Sequence, residues 1–215
     1  IVSLPFFYNI AANKDITFTP NIQSNANNFY EINYRHLNEI GSLEINASID
    51  DNDNDLGTRN HFFATADINN NFGTLKTYIQ TSNNDTYMRK MKMNKTTVYT
   101  SGARFERSHE NTNLILTSNA YKHLTLQNSE QWEYLYPKIE YDINNINDDI
   151  FGGNISLSNN FTNYQGLNNS YSSQLSSQID WSKTNANQNT GLIFENKGSL
   201  RIVSSSIDYK DNSSD

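Results

Sequence analysis

The chain has 215 residues, no cysteine, a formal net charge of −7 and a mean hydropathy of −0.74. The missing cysteines exclude a disulfide framework within this stretch, and scattered Lys and Arg without a basic patch argue against a nucleic-acid partner. No apolar run approaches the roughly 18 residues that a membrane helix needs. A membrane barrel stays open, because a spanning strand exposes only alternate residues to lipid.

The length suits one β domain or a piece of a larger one. Ile1 is not an initiator, and no charged leader with an apolar core follows it, so any signal peptide is expected upstream or already removed.

The first twenty-odd residues, Leu4 to Ile22, hold two β-prone runs flanking Ala12-Asn13. Asn tolerates turn geometry, so a hairpin is expected there. Centred on that pair, the hairpin would set Pro5 opposite Pro20. Each proline lacks a backbone N–H, so a rung containing both cannot pair normally, and prolines belong at sheet edges, strand starts or bulges. The expectation is a first hairpin at a sheet edge, weakened at one height. The alternative is two strand-boundary prolines whose symmetry is accidental.

Period two then runs on. Tyr30, Ile32 and Tyr34 alternate with Glu31, Asn33 and Arg35; Leu43, Ile45, Ala47 and Ile49 alternate with Glu44, Asn46, Ser48 and Asp50. Phe62 to Ile68, Leu75 to Ile79, Tyr99 to Phe105, Leu114 to Ala120 and Leu135 to Ile143 continue it. One apolar and one polar face per strand is the natural reading. These segments match the roughly 9–11 residues a strand needs to cross a bilayer better than the usual five or six of globular sheets.

Short polar breaks separate them, which implies up-and-down antiparallel connections, since parallel crossovers need a dozen or more residues. Asp50–Thr58 and Ser82–Asn94 are the substantial loops, and Tyr87–Met93 in the second is read as one helical turn. Past Ile150 the pattern loosens into strands at Asn154–Tyr164, Tyr171–Trp181, Gly191–Glu195 and Ser199–Tyr209, for a total of about a dozen. The tail 210–215 is expected to be ragged. Tyr34, Phe72, Tyr121, Trp132, Tyr134, Tyr136 and Trp181 are placed near strand ends, as in the aromatic girdles of membrane barrels, although aromatics are common in any strand.

The opening stretch, Leu4-Pro5-Phe6-Phe7-Tyr8-Asn9-Ile10-Ala11-Ala12-Asn13 with Asp15, Thr17, Thr19 and Pro20, resembles the start of the barrel of LptD (OstA, Imp), the outer-membrane lipopolysaccharide-assembly family. Four more pieces resemble it in order: Tyr34-Arg35-His36-Leu37; the acidic loop Asp50 to Asp55 followed by Arg59; Asp85-Thr86-Tyr87-Met88-Arg89; and Tyr134-Leu135-Tyr136-Pro137-Lys138-Ile139. The likeness runs through about residue 143. It departs at Ala12, where many members carry a third proline.

The resemblance implies an all-β, antiparallel up-and-down transmembrane β-barrel, with residues 1–209 a fragment of a larger barrel. It implies lipopolysaccharide as cargo, carried to the outer leaflet of a Gram-negative outer membrane. The partners implied are outer-membrane lipids, a periplasmic lipopolysaccharide-transport bridge and a lipoprotein plug of the LptE kind. Polar residues Glu31, Arg35, Glu44, Arg59, Asp67, Lys76, Arg104 and Glu106 would line a wet lumen for the glycan. The acyl chains must stay in lipid, so the cargo must leave sideways. A first strand already short of donors at Pro5 and Pro20 loses less on opening, because each broken rung strands polar groups in hydrocarbon. A lateral gate is therefore expected at the first hairpin. A porin-like channel and a secreted β-sandwich adhesin are the other readings.

Nothing points to catalysis, a metal or a cofactor. Asp51-Asn52-Asp53-Asn54-Asp55 superficially resembles a calcium loop, but glycine falls late, at Gly57, and Phe62 occupies the bidentate Glu position. His36, His61, His109 and His123 lack zinc spacing. Glu31 and Glu44 could meet across neighbouring strands, yet Arg35 on the same face makes a charge network the better reading than acid–base chemistry. His36 falls on the apolar face.

Overall fold

The computed structural model describes residues 1–24, 27–50, 57–126, 131–147, 152–167, 170–187 and 189–209. The chain is all-β, a single antiparallel sheet of 13 strands. The strands are β1 (Val2–Ser3), β2 (Phe6–Ala11), β3 (Lys14–Ile22), β4 (Phe29–Asn38), β5 (Gly41–Asp50), β6 (Asn60–Asn70), β7 (Gly73–Ser82), β8 (Val98–His109), β9 (Thr112–His123), β10 (Trp132–Asn147), β11 (Asn154–Gln165), β12 (Ser170–Asn187) and β13 (Leu192–Tyr209). Each pairs with its sequence neighbour, except that β1 and β2 both pair with β3 as one interrupted strand. One short helix, α1 (Tyr87–Lys90), lies between β7 and β8 where the sequence suggested a helical turn. Among the described residues, no helix is long and apolar enough to cross a membrane.

Two C-terminal expectations are corrected. Gly191–Glu195 and Ser199–Tyr209 are one strand, β13, whose residues Leu192 to Tyr209 pair without interruption with Asn187 to Ser170. Asn196, Lys197 and Gly198 looked like a break, but the unbroken partner β12 carries the ladder across them. Among the aromatics, Phe72 sits in a turn and Trp132 opens β10, whereas Tyr34 and Trp181 lie inside their strands. The acidic run 51–55 and the tail 210–215 fall outside the described residues.

The chain divides into two compact units, one of residues 1–103 and 119–133, the other of 104–118 and 134–215. In the first, register sorts side chains into two faces, since directly opposed residues point the same way. Phe6 and Tyr8 oppose Phe18 and Ile16, which oppose Ile32 and Tyr34. Beyond them Ala47 and Ile45 oppose Phe62 and Ala64, then Thr81 and Ile79. This face is apolar and uncovered: Phe6, Tyr8, Phe18, Ile32, Ile49, Phe62 and Ile79 are all exposed. Lys14 and His36 oppose each other on it near the first turn, as expected for His36.

The other face is polar. One rung across it reads Asn9, Asp15, Arg35, Glu44, Thr65 and Tyr78; the next reads Phe7, Thr17, Asn33, Asn46, Phe63 and Gln80. The connections in this unit alternate in length. Residues 12–13, 39–40 and 71–72 link strands at one end, and 23–28, 51–59, 83–97 and 124–131 link them at the other.

The second unit shows the same segregation in β10–β12. Ile139, Tyr141 and Ile143 align with Phe161, Asn159 and Leu157, then with Leu175, Ser177 and Ile179. Glu140, Asp142, Ser158, Asn160 and Gln178 occupy the opposite face. The pattern weakens in β13, where Ile193, Val203 and Ile207 join the polar row.

Candidate functional site

The expected rung of two prolines does not form. β2 pairs Phe6 with Phe18 and Asn9 with Asp15, but Ala11 with Lys14. Ile10 is therefore an extra residue, a β-bulge beside the turn, which shifts the register by one and removes the symmetry. Leu4, not Pro5, stands against Pro20, and the Leu4 amide donates to the Pro20 carbonyl at 3.1 Å.

The physical result is more specific than the sequence suggested. In an antiparallel strand the N–H and C=O of one residue point to the same side, and successive residues alternate sides. Leu4 faces β3, so Pro5 faces the free edge. Pro20 faces β1 and β2, so its missing N–H is the one that would have reached Leu4. One proline deletes a donor on each side of the same short stretch, and the strand is interrupted there, between Ser3 and Phe6.

The expected lumen residues sort as follows. Glu31, Arg35, Glu44, Asp67 and Lys76 share the polar face of the first unit. Arg35 meets Asp15 through two hydrogen bonds of 3.1 Å and lies opposite Glu44. Asp67 and Lys76 face each other with a 3.6 Å ion pair. Glu31 opposes Ser48 and accepts from Asn21 at 3.1 Å, so the proposed Glu31–Glu44 pairing does not occur. The two carboxylates stand two rungs apart on that face. In the second unit Arg104 and Glu106, two apart on β8, form a 3.1 Å pair.

Arg59 is not part of the open row. It precedes β6 and folds onto Asp50: its amide donates to Asp50 Oδ1 at 2.7 Å, and its guanidinium to Oδ2 at 2.5 Å. The Asp50 side chain is fully buried. The Arg59 guanidinium also stands 5.8 Å over the Tyr87 ring.

Tyr87 belongs to a group that the sequence gave little reason to assemble. Segment 83–97 folds back onto the polar face at the long-loop end. There Tyr87, Met88 and Met91 join Phe29, Tyr99 and Leu124 in the buried cluster, with Phe63 and Met93 packed against it. Part of its polar lining is linked as a chain. The Tyr87 hydroxyl lies 2.8 Å from Ser48 Oγ, Ser48 Oγ lies 2.5 Å from His61 Nδ1, and His61 Nε2 lies 2.6 Å from Asn46 Oδ1. Burial pushes the Tyr87 hydroxyl up to about 12, with the Ser48 bond opposing the shift.

Asp85 anchors the segment's start, accepting from Lys122 at 2.6 Å and Gln131 at 3.0 Å. His61 was visible in sequence as a polar-face residue; its partners were not, because they come from β5 and a distant loop. Among the described residues, no group of three or more His, Asp or Glu side chains could hold a metal.

Together these features define a class: an antiparallel wall, apolar and bare on one side, polar on the other, with a proline-interrupted first strand. No family model matches the chain, and neither does any curated protein.

Proposed function

We propose that this chain is part of the wall of an outer-membrane β-barrel that delivers lipopolysaccharide to the outer leaflet, of the kind that LptD exemplifies. Its lateral gate is the first hairpin, at Pro5 and Pro20. The observation that carries the reading is the pair of donors missing on either side of the Leu4–Pro5 interruption. A polar wall serves the glycan, an uncovered apolar face suits hydrocarbon, and a seam poor in hydrogen bonds opens with fewer groups left unpaired in lipid.

Two further features support the reading. Short turns at one end and longer loops at the other are the habit of membrane barrels. The bare apolar face is what a β-sandwich lacks, since a sandwich packs that face against a second sheet. The remaining strands, the plug and the periplasmic bridge would be supplied from outside this chain.

The test uses the full-length protein in its own bacterium. Pro5→Ala restores a donor toward the neighbouring strand, and Pro20→Ala restores one toward Leu4. The double variant is expected to assemble yet display less lipopolysaccharide on the surface, with Pro5→Ala carrying most of the defect. Normal display by a stably assembled double variant removes the gate.

A further inference from the structure

At the short-turn end the polar face of the first unit is open, and there it holds a concavity of about 440 Å³. That volume falls in the range of clefts that take small molecules. Its floor is the rung Asn9, Asp15, Arg35 and Glu44, one residue from each of β2 to β5. Phe7 and Leu37 stand beside that floor and line the same concavity. Elsewhere in this unit, the exposed large apolar residues of the paired strand positions belong to the opposite face. Phe7 at 62% and Leu37 at 63% exposure break the rule, on a face otherwise given to polar groups. Phe63 and Phe29, on the same face, are packed into the cluster under segment 83–97. Phe7 has no such cover.

We infer that this concavity is a carbohydrate subsite: Phe7 is a stacking platform for a pyranose ring, and Asn9, Asp15 and Glu44 receive its hydroxyls. An aromatic ring set beside carboxylates and an amide suits a sugar, whose C–H faces are apolar and whose edge carries hydroxyl donors. The lining offers a phosphate no net positive charge, since Asp15 and Glu44 stand against Arg35 and Lys14. Arg35 is the one guanidinium at the floor and is already engaged by both oxygens of Asp15, while Glu44 adds a further negative charge. Hydroxyl donors find carboxylate and amide acceptors there, whereas a phosphate finds no excess of cations. The site lies on β2 beside the Leu4–Pro5 interruption. Resting on the proposed function, it is where a neutral sugar of the glycan is held as the cargo reaches the seam.

The experiment is saturation-transfer NMR on the full-length protein in a zwitterionic detergent without a sugar headgroup. The probes are maltotriose, and core oligosaccharide freed of lipid by mild acid hydrolysis of lipopolysaccharide. Transfer to ring protons of both is expected, weakened about tenfold by Phe7→Ala and also by Glu44→Gln, and unaffected by inorganic phosphate. Phe6→Ala is the control: its side chain is equally exposed, at 61%, but on the opposite face, and it should change nothing.

Transfer from the core oligosaccharide alone would identify the cargo's own glycan as the ligand; transfer from both would assign a general pyranose site. Absence of transfer, equal loss in Phe6→Ala and Phe7→Ala, or competition by phosphate overturns the subsite. That failure is separable from failure of the transport reading, which the proline variants test in cells without any sugar-binding readout.

Discussion

Tyr87 offers the sharpest test of how the polar face is closed at its long-loop end. Its side chain is fully buried in the cluster beneath segment 83–97. An aromatic of this size buries about 200 Å², worth about 5 kcal/mol at the usual area coefficient. Correction for residual burial in the opened segment brings this to about 3–4 kcal/mol. Tyr87→Ala should therefore weaken closure of the segment by about 3–4 kcal/mol. Tyr87→Phe removes only the hydroxyl that meets Ser48 and should cost about 1 kcal/mol.

The readout is built in. Arg89, Lys90 and Lys92 are exposed trypsin sites on this segment, but cleavage needs several residues of extended backbone, so the segment must first lift. When opening is fast relative to cleavage, the nicking rate follows the opening equilibrium. Tyr87→Ala should be nicked at least a hundredfold faster than the parent, and Tyr87→Phe about fivefold faster. Parent-like nicking of Tyr87→Ala would refute the argument, since it would mean that the ring contributes nothing to holding the segment down.

The same residue predicts an alkaline transition. Its hydroxyl is raised from 10 to about 12 by burial, so the closed segment favours the neutral phenol. That stabilisation is whole below pH 10 and is lost as pH climbs toward 12, which trypsin-independent tyrosinate absorbance should register as a step missing in Tyr87→Phe.

Arg59→Ala leaves the buried Asp50 carboxylate without its guanidinium and should cost about 3 kcal/mol of stability in detergent unfolding. Arg35→Ala breaks a pair with an exposed guanidinium and should cost under about 1 kcal/mol. Ile32→Arg, on the bare apolar face, should weaken folding into bilayers by about 2–4 kcal/mol, whereas its neighbour Asn33→Arg, on the polar face, should be tolerated. Equal effects of those two would put hydrocarbon in doubt. Gly41→Ala should destabilise the β5–β6 pairing by about 2 kcal/mol, because a Cβ there meets the Asp67 backbone carbonyl.

Much of this molecule follows from local sequence, because a pleated strand turns successive side chains to opposite sides whatever its partners are. The alternation of Tyr30, Ile32 and Tyr34 with Glu31, Asn33 and Arg35 is enough to assign two faces, and the short Asn-rich breaks are enough to assign antiparallel neighbours. The helical turn read within Tyr87–Met93 is likewise local, and it forms over Tyr87–Lys90.

Register was another matter. It depends on partners far along the chain and moves by a whole residue at a single bulge. Ile10 decides that Leu4, and not Pro5, meets Pro20, and hence which side of the seam each missing donor faces. Pairing also decides that Arg35 rather than Glu31 stands opposite Glu44. Tertiary packing alone brings Arg59 onto Asp50, and Tyr87 onto Ser48 and His61. Burial of Phe29, Met88, Met91 and Tyr99 repays the folding of a polar loop onto a polar face, and no periodicity along the chain records which distant residues share that burial.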